Sequence, residues 1–485
     1  MKQGLTRIHI FLLGSALISM PFVSSVGKES GLLGTMGAQL SYYFIFGGFL
    51  VWLAELIFSK KKCLLPNNLS FKLVVVLLLI MYATTLLNAP ELLTRETKGV
   101  LGIQKSVVRL LSFSFAFLLS VYLYNVFRYI KYDALRFIYK LTLCSFFLAG
   151  TYSLIEVACF LDTYGAMDLL LAIDKIFRPE ETVGFYWRIR SLGMDAPSIA
   201  IYWVFLFPWL LVPIILSKKF FKFLSIICVA YLLLLVVGGI SRTSSISIAV
   251  EFMMFLFMFR KELSSEWYVF PSLAFSITVV TCLIAGAGDV ISMSPSEVIT
   301  SLVSMDGDKA LSTIGRYGST LAAVDIFFDH PIIGVGWGAY GLYAADYYPD
   351  WAWVSPEIQQ WGSNSVGMPW AEPWCTYIAF FCQCGILGGI IYILVYVRLL
   401  AELKKVYKNL NYENSVYARA LFISFLGVAL FGFNLGNVLL FITWLSYVSV
   451  WALSSIYRSD ETAEMEKKNE KNIVLDAMVS TRKNP

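Results

Sequence analysis

Leu232-Leu233-Leu234-Leu235-Val236-Val237-Gly238-Gly239-Ile240-Ser241-Arg242-Thr243-Ser244-Ser245-Ile246-Ser247-Ile248-Ala249-Val250 reads as two apolar helices folded back on a short polar turn. Each flank extends outward as an apolar run close to the roughly 20 residues that cross a hydrocarbon core about 30 Å thick. The turn carries an arginine, a residue that bilayers tolerate only when it snorkels to an interface or meets a partner. That pattern, repeated along the chain, decides the fold class.

Apolar runs recur over residues 8–26, 37–58, 71–88, 107–127, 137–160, 197–216, 222–240, 244–259, 268–287, 375–397, 416–435 and 438–457. A segment in lipid must satisfy its own backbone hydrogen bonds, so each is expected to be a helix. The expectation is an all-α polytopic membrane protein of about twelve spans, with a large extracytoplasmic loop between the ninth and tenth. Composition agrees: 58% of residues are apolar and only 15% are charged, against about 25% charged in soluble domains. Lys60-Lys61-Lys62, Arg128/Lys131/Arg136, Lys218-Lys219/Lys222, Arg260-Lys261 and Arg398/Lys404/Lys405/Lys408 fall on alternate connections. The positive-inside rule makes that side, and both termini, cytoplasmic.

The net charge of +5 is therefore mostly topological and does not point to nucleic acid. Eight scattered cysteines lack zinc or disulfide-framework spacing. The chain divides into spans one to nine (1–287), the large loop (288–374), spans ten to twelve (375–457) and a charged tail (458–485) expected to be disordered.

The extracytoplasmic side carries the candidate chemistry. In the large loop, Arg316 to Phe328 has helical apolar periodicity, and His330-Pro331 ends it. Ile332-Ile333-Gly334-Val335-Gly336-Trp337-Gly338 then forms a turn able to approach a ligand closely. Tyr340, Trp370, Trp374 and their aromatic neighbours suit sugar stacking, or an interfacial belt. Arg190 lies before the sixth span; there the alternative is a surface cation near headgroups. Glu251, mid-span, is either functional or a buried partner of a cation such as Arg109. An Asp306-Gly307-Asp308 pair is the sole hint of a metal, and no metal or cofactor is expected.

At four stretches the chain resembles the O-antigen polymerase and ligase superfamily of bacterial inner membranes. Arg190-Ser191-Leu192-Gly193 to Pro197 is similar to the arginine segment before the sixth helix, and Gly238 to Thr243 to the Ser-Arg turn. Arg316 to Gly336 resembles the loop helix with its glycine turn, and Cys384-Gly385-Ile386-Leu387-Gly388 the start of the tenth helix. The resemblance implies a GT-C-like membrane fold and an inverting, metal-independent glycosyltransferase acting on undecaprenyl-diphosphate-linked oligosaccharide. It implies Arg190, Arg242 and Arg316 as ligands of the diphosphate, with Arg242 and Arg316 also stabilising charge in the transition state. Trp337, Tyr340, Trp370 and Trp374 become glycan contacts.

Ligases carry a histidine just before the tenth helix, where this chain reads Met368-Pro369-Trp370-Ala371-Glu372-Pro373-Trp374. Glu372 is the natural substitute base, since apolar neighbours strengthen a carboxylate's hold on a proton. The missing histidine favours a polymerase, with a chain-length regulator as a further partner beside the membrane lipid. An O-antigen ligase acting on lipid A–core or protein is the alternative. A lipid-oligosaccharide transporter is a third, although no matching halves are visible.

Overall fold

The computed structural model describes residues 2–23, 36–59, 62–177, 189–193, 196–239, 241–263 and 308–459. They are overwhelmingly helical. The first helices are α1 (Lys2–Ile18), α2 (Leu40–Ser59), α3 (Leu69–Leu87) and the one-turn α4 (Ala89–Leu92). A two-residue hairpin, β1 (Glu96–Thr97) paired antiparallel with β2 (Val100–Leu101), leads into α5 (Gly102–Ile130). Next come α6 (Asp133–Phe160), α7 (Ala166–Phe177), α8 (Ala196–Leu216), α9 (Lys219–Gly238) and α10 (Arg242–Met258). The remainder is α11 (Asp308–Asp329), α12 (Tyr340–Tyr347), α13 (Pro356–Gly362), α14 (Thr376–Asn409), α15 (Tyr412–Phe431) and a last helix, α16, over residues 441–459.

Eight of these helices are long and apolar enough to cross a membrane, and α1 and α10 contribute shorter apolar stretches. The chain is thus an all-α, multi-pass membrane protein. Its outer flanks carry exposed apolar side chains such as Phe58, Leu79, Leu86, Phe147 and Phe257, the arrangement a lipid-facing surface requires. The helix α8 is the hub. Tyr202, Phe205 and Trp209 are fully buried there, packed among α9, α10 and α15. The helices α3 and α14 pack along each other, and α1 lies between α2 and α6.

Among the described residues the apolar runs fall on helices, and several helices extend past them. The run at 107–127 belongs to a helix starting at Gly102, and the run at 375–397 to one reaching Asn409. Length and hydropathy mark the segment in lipid and say nothing of where a helix continues into water. The run at 268–287, the loop start at 288–307, the tail beyond 459 and Asp306 lie outside the described residues. One expected span boundary is corrected. The last two runs are separated by a non-helical segment over 435–440, following a single 3₁₀ turn at Gly432–Asn434. Gln39 holds it: its Oε1 accepts from Phe441 N at 2.9 Å and its Nε2 donates to Leu439 O at 3.3 Å.

Residues 308–374 form a helical cap with its own apolar core. Ala322, Ala323 and Ile326 of α11 pack with Tyr340, Tyr343 and Ala344 of α12 and Ile358 of α13. The expected loop helix from Arg316 is present within α11, which stops one residue before His330.

The glycine turn packs closely against a helix. At Gly385 (φ 67°, ψ −173°) α14 leaves helical geometry, and the turn fills the gap in its ladder. Val335 N donates to Cys382 O (3.1 Å), Gly336 N to Gln383 O (3.0 Å) and Ile386 N to Pro331 O (2.8 Å). Backbone groups freed at the break in α14 are thereby re-satisfied by protein, as membrane-depth irregularity demands.

Of the two readings open for Glu251, a pairing with Arg109 is not observed. Glu251 is fully buried, and among the described residues its carboxyl oxygens have no hydrogen-bond partner. Arg109 pairs instead with Glu372.

Candidate active site

The cap meets the apolar bundle around a cavity of about 320 Å³, a size usual for a small-molecule site. Arg316 and Glu372 both line it, with Trp361, Trp370 and Trp374. The floor is Ser198 near the start of α8, Ser241 just before α10, Asn434 at the end of the 3₁₀ turn and Asn437 in the non-helical segment. A cation, a carboxylate and three indoles thus converge where apolar helices give way to the cap.

Local structure explains the convergence. Arg316 lies in α11, one turn before Ser319, whose hydroxyl donates to the Glu372 carbonyl at 2.9 Å. Ser319 O also accepts from Tyr340 OH at 2.8 Å. This buried polar knot fixes the distance between the arginine's helix and the strand of chain carrying Glu372. The Arg316 guanidinium lies 4.6 Å from the centroid of Trp374, within the range of a cation–π contact. Trp374 in turn packs against Trp361, with centroids 6.0 Å apart.

A second, smaller cavity of about 40 Å³ adjoins the first and shares Glu372, Trp370, Gly436 and Asn437 with it. Arg109 and Gln383 line it, as do Trp337 and Tyr340. Glu372 is therefore expected among aromatics and found there, but the charge touching it is the Arg109 guanidinium.

The remaining predicted residues separate. Arg242 begins α10 directly after the cavity residue Ser241, while its side chain lies outside the described residues. Arg190 is 6% exposed and is not among the residues lining the cavity. Its Nη2 donates to Asp174 Oδ2 at 2.6 Å and its Nε lies 4.0 Å from Glu156 Oε1. Two carboxylates already surround this guanidinium, so a diphosphate there would meet like charge. The expected phosphate ligand is instead placed to join α6, α7 and the segment before α8. Asp174 belongs to α7, a short amphipathic helix after α6, and no motif distinguishes this acid in the sequence. Trp337 and Tyr340, expected to touch glycan, are 7% and 1% exposed; Trp337 stacks on Phe380 at 4.8 Å. Trp370 and Trp374 do face the larger cavity.

Several functional candidates had no distinguishing signal. Lys105 and Arg109 stand one turn apart on α5, and in sequence nothing ties either to the 368–374 stretch; Lys105 Nζ lies 5.1 Å from the Trp370 centroid. Lys98 is buried, donating from Nζ to Pro369 O and, at 3.2 Å, to Gln360 O. Burial, then the charge of Lys105, pushes the Lys98 ammonium below its ordinary pKa. Asn434 and Asn437 were readable in principle: with Gly432 and Gly436 they interrupt an otherwise apolar run. Among the described residues no group of His, Cys, Asp or Glu is arranged to hold a metal ion.

No protein-family model matches the chain, and no curated protein matches it either.

Proposed function

We propose that the chain is a polymerase of O-antigen or a related surface glycan in the bacterial inner membrane. In this reading it has twelve spans, cytoplasmic termini and a periplasmic cap, and it uses undecaprenyl-diphosphate-linked oligosaccharide as donor and acceptor. The observation that carries it is the larger cavity, in which Arg316 and Glu372 face the same space beside Trp370 and Trp374. A lipid diphosphate needs a cation near the bilayer surface, a sugar needs flat apolar faces, and glycosyl transfer needs a base.

The chemistry assigns one role to each group. The acceptor hydroxyl at the non-reducing end attacks C1 of the donor sugar from the face opposite the diphosphate. A new C1–O bond forms as the C1–O bond to phosphate breaks, with inversion. Glu372 takes the hydroxyl proton, and the polyprenyl diphosphate leaves with its charge held by Arg316, joined by Arg242 at the start of α10. Trp370 and Trp374 hold sugar rings.

The test is a gel profile of surface glycans from cells lacking the chain, with and without complementation. Core bearing a single repeat is expected. Core without repeats, with polymer left on the lipid carrier, would indicate ligase activity instead. An unchanged ladder would refute both.

Glu372→Gln is expected to lower polymer formation by about 10²–10⁴-fold, the usual contribution of a positioned base, while binding of lipid-linked oligosaccharide persists. Near-normal product from this variant would move the base to Asp195, Asp325 or Asp329.

A further inference from the structure

We infer that Arg109 is a positioning residue for Glu372, gripping the carboxylate from the side away from substrate. The inference rests on the reading of Glu372 as the base. Glu372 lines both cavities, Arg316 lines only the larger and Arg109 only the smaller. The smaller, at about 40 Å³, has room for a few water molecules but not for a sugar ring. Substrate therefore reaches Glu372 from the Arg316 side, and the Arg109–Glu372 ion pair closes the opposite side.

The pair is built into rigid elements. Arg109 projects from the long helix α5 with its stem against the glycine turn. A Cβ on Gly338 (φ +83°) would stand 2.9 Å from Arg109 Cγ, so a glycine allows this approach. Gly338 N donates to Gln383 Oε1 at 2.6 Å, tying the turn to α14 at the same cavity. Around Glu372 the chain is held twice more from the same side. Lys105 lies over Trp370, and Lys98 donates to Pro369 O. Asn364 Oδ1, earlier in this stretch, accepts from Lys98 N at 2.7 Å and from Thr97 Oγ1 at 2.8 Å.

The charged groups around this stretch are thus Arg109, which touches the Glu372 carboxylate, Arg316 of α11 on the larger cavity, Lys105 of α5 over Trp370 and Lys98 of the hairpin at the Pro369 and Gln360 carbonyls. The helix α14 and the segment 435–440 present the neutral Gln383 and Asn437. A base held on one side by a guanidinium keeps one oxygen fixed and leaves the other to receive the acceptor's proton. Such fixing matters, because misplacement by about 1 Å can cost about 10²-fold in rate.

The experiment uses the purified full chain in phospholipid vesicles with a polyprenyl-diphosphate-linked oligosaccharide, measuring initial rates against substrate concentration and pH. For Arg109→Gln, kcat is expected to fall about 10- to 100-fold, with KM for the lipid-linked substrate changed less than about twofold. The acid limb of the rate profile should move to higher pH, because loss of the neighbouring cation disfavours the carboxylate. Arg109→Lys should return the limb to its wild-type position but recover only part of kcat, since a point charge does not fix the carboxylate's orientation. A raised KM at unchanged kcat would make Arg109 a substrate ligand and overturn the inference. So would an unmoved pH profile. If Arg109→Gln fails to fold, Arg109→Lys decides: wild-type kcat and profile together overturn it. Wild-type protein without transferase activity would instead refute the polymerase reading itself.

Discussion

Arg316→Ala is expected to abolish polymer while leaving the protein in the membrane at wild-type level. Arg316 is the cation of α11 that faces the larger cavity, with its guanidinium 4.6 Å from Trp374 and Glu372 on the same wall. Removing one preorganised donor to developing charge costs about 10²–10³-fold in rate, and the lost cation–π contact with Trp374 costs about 1 kcal/mol. Truncation removes no core side chain, because the core of the cap is built from other positions of α11, such as Ala322, Ala323 and Ile326. Folding should therefore survive. Arg316→Lys should rescue poorly: an ammonium restores charge but neither the planar stacking on Trp374 nor two parallel hydrogen bonds to a phosphate. The readout is the surface-glycan ladder beside protein abundance in the membrane fraction. Full-length polymer from Arg316→Lys would reduce the arginine to a point charge, and full-length polymer from Arg316→Ala would remove it from the site.

Arg316 illustrates which parts of the site the sequence discloses. It sits in a loop helix with a clear apolar stripe, so both its presence on a helix and its exposure beside that stripe were readable. Glu372 and the two tryptophans around it were readable as a cluster because they are adjacent in the chain. Arg109 was not. It belongs to an apolar span more than two hundred residues away, and only the folding of the cap onto α5 brings it to Glu372. Arg190 misleads for the complementary reason. An arginine beside a proline-marked helix start looks like a free cation until Asp174, on a short helix of the preceding loop, is found against it. Periodicity reveals faces, while ion pairs between distant segments depend on tertiary placement.

The spans divide in the same way. Hydropathy located helices such as α2, α3, α8 and α9 to within a few residues, because the thickness of lipid imposes their length. It also separated the last two runs near 436–437, where Gly436 and Asn437 interrupt the apolar sequence, but it did not show what holds the segment 435–440: Tyr42 OH donates to Leu439 O at 2.8 Å and Gln39 Nε2 donates to the same carbonyl. The break at Gly385, inside the run at 375–397, was not marked by hydropathy; its partners lie 47 to 55 residues earlier, in the glycine turn.

That break carries the second large effect. Gly385→Ala is expected to destabilise the protein by about 3 kcal/mol or more, since a φ of 67° with ψ of −173° is territory that essentially only glycine occupies. Sterics act in the same direction. A Cβ at Gly385 would stand 2.1 Å from Ile332 O, a backbone atom that cannot swing aside, and one at Gly334 (φ +69°) would stand 2.6 Å from Gly385 N. Either alanine must part the turn from α14 and break the three hydrogen bonds between them. Gly47, in α2, is the control: nothing lies within 4 Å of its added Cβ, and alanine in a helix interior gains about 1 kcal/mol over glycine. Thermal unfolding in detergent, followed by tryptophan fluorescence, should show Gly385→Ala and Gly334→Ala melting well below wild type and Gly47→Ala at or above it. A Gly385→Ala protein that melts with wild type would mean the splice contributes nothing. If it holds, the same substitutions should also impair catalysis in protein that remains folded, because the turn that closes the gap in α14 is the one whose Gly338 abuts Arg109. Stability of the broken helix and placement of the base would then depend on one piece of backbone.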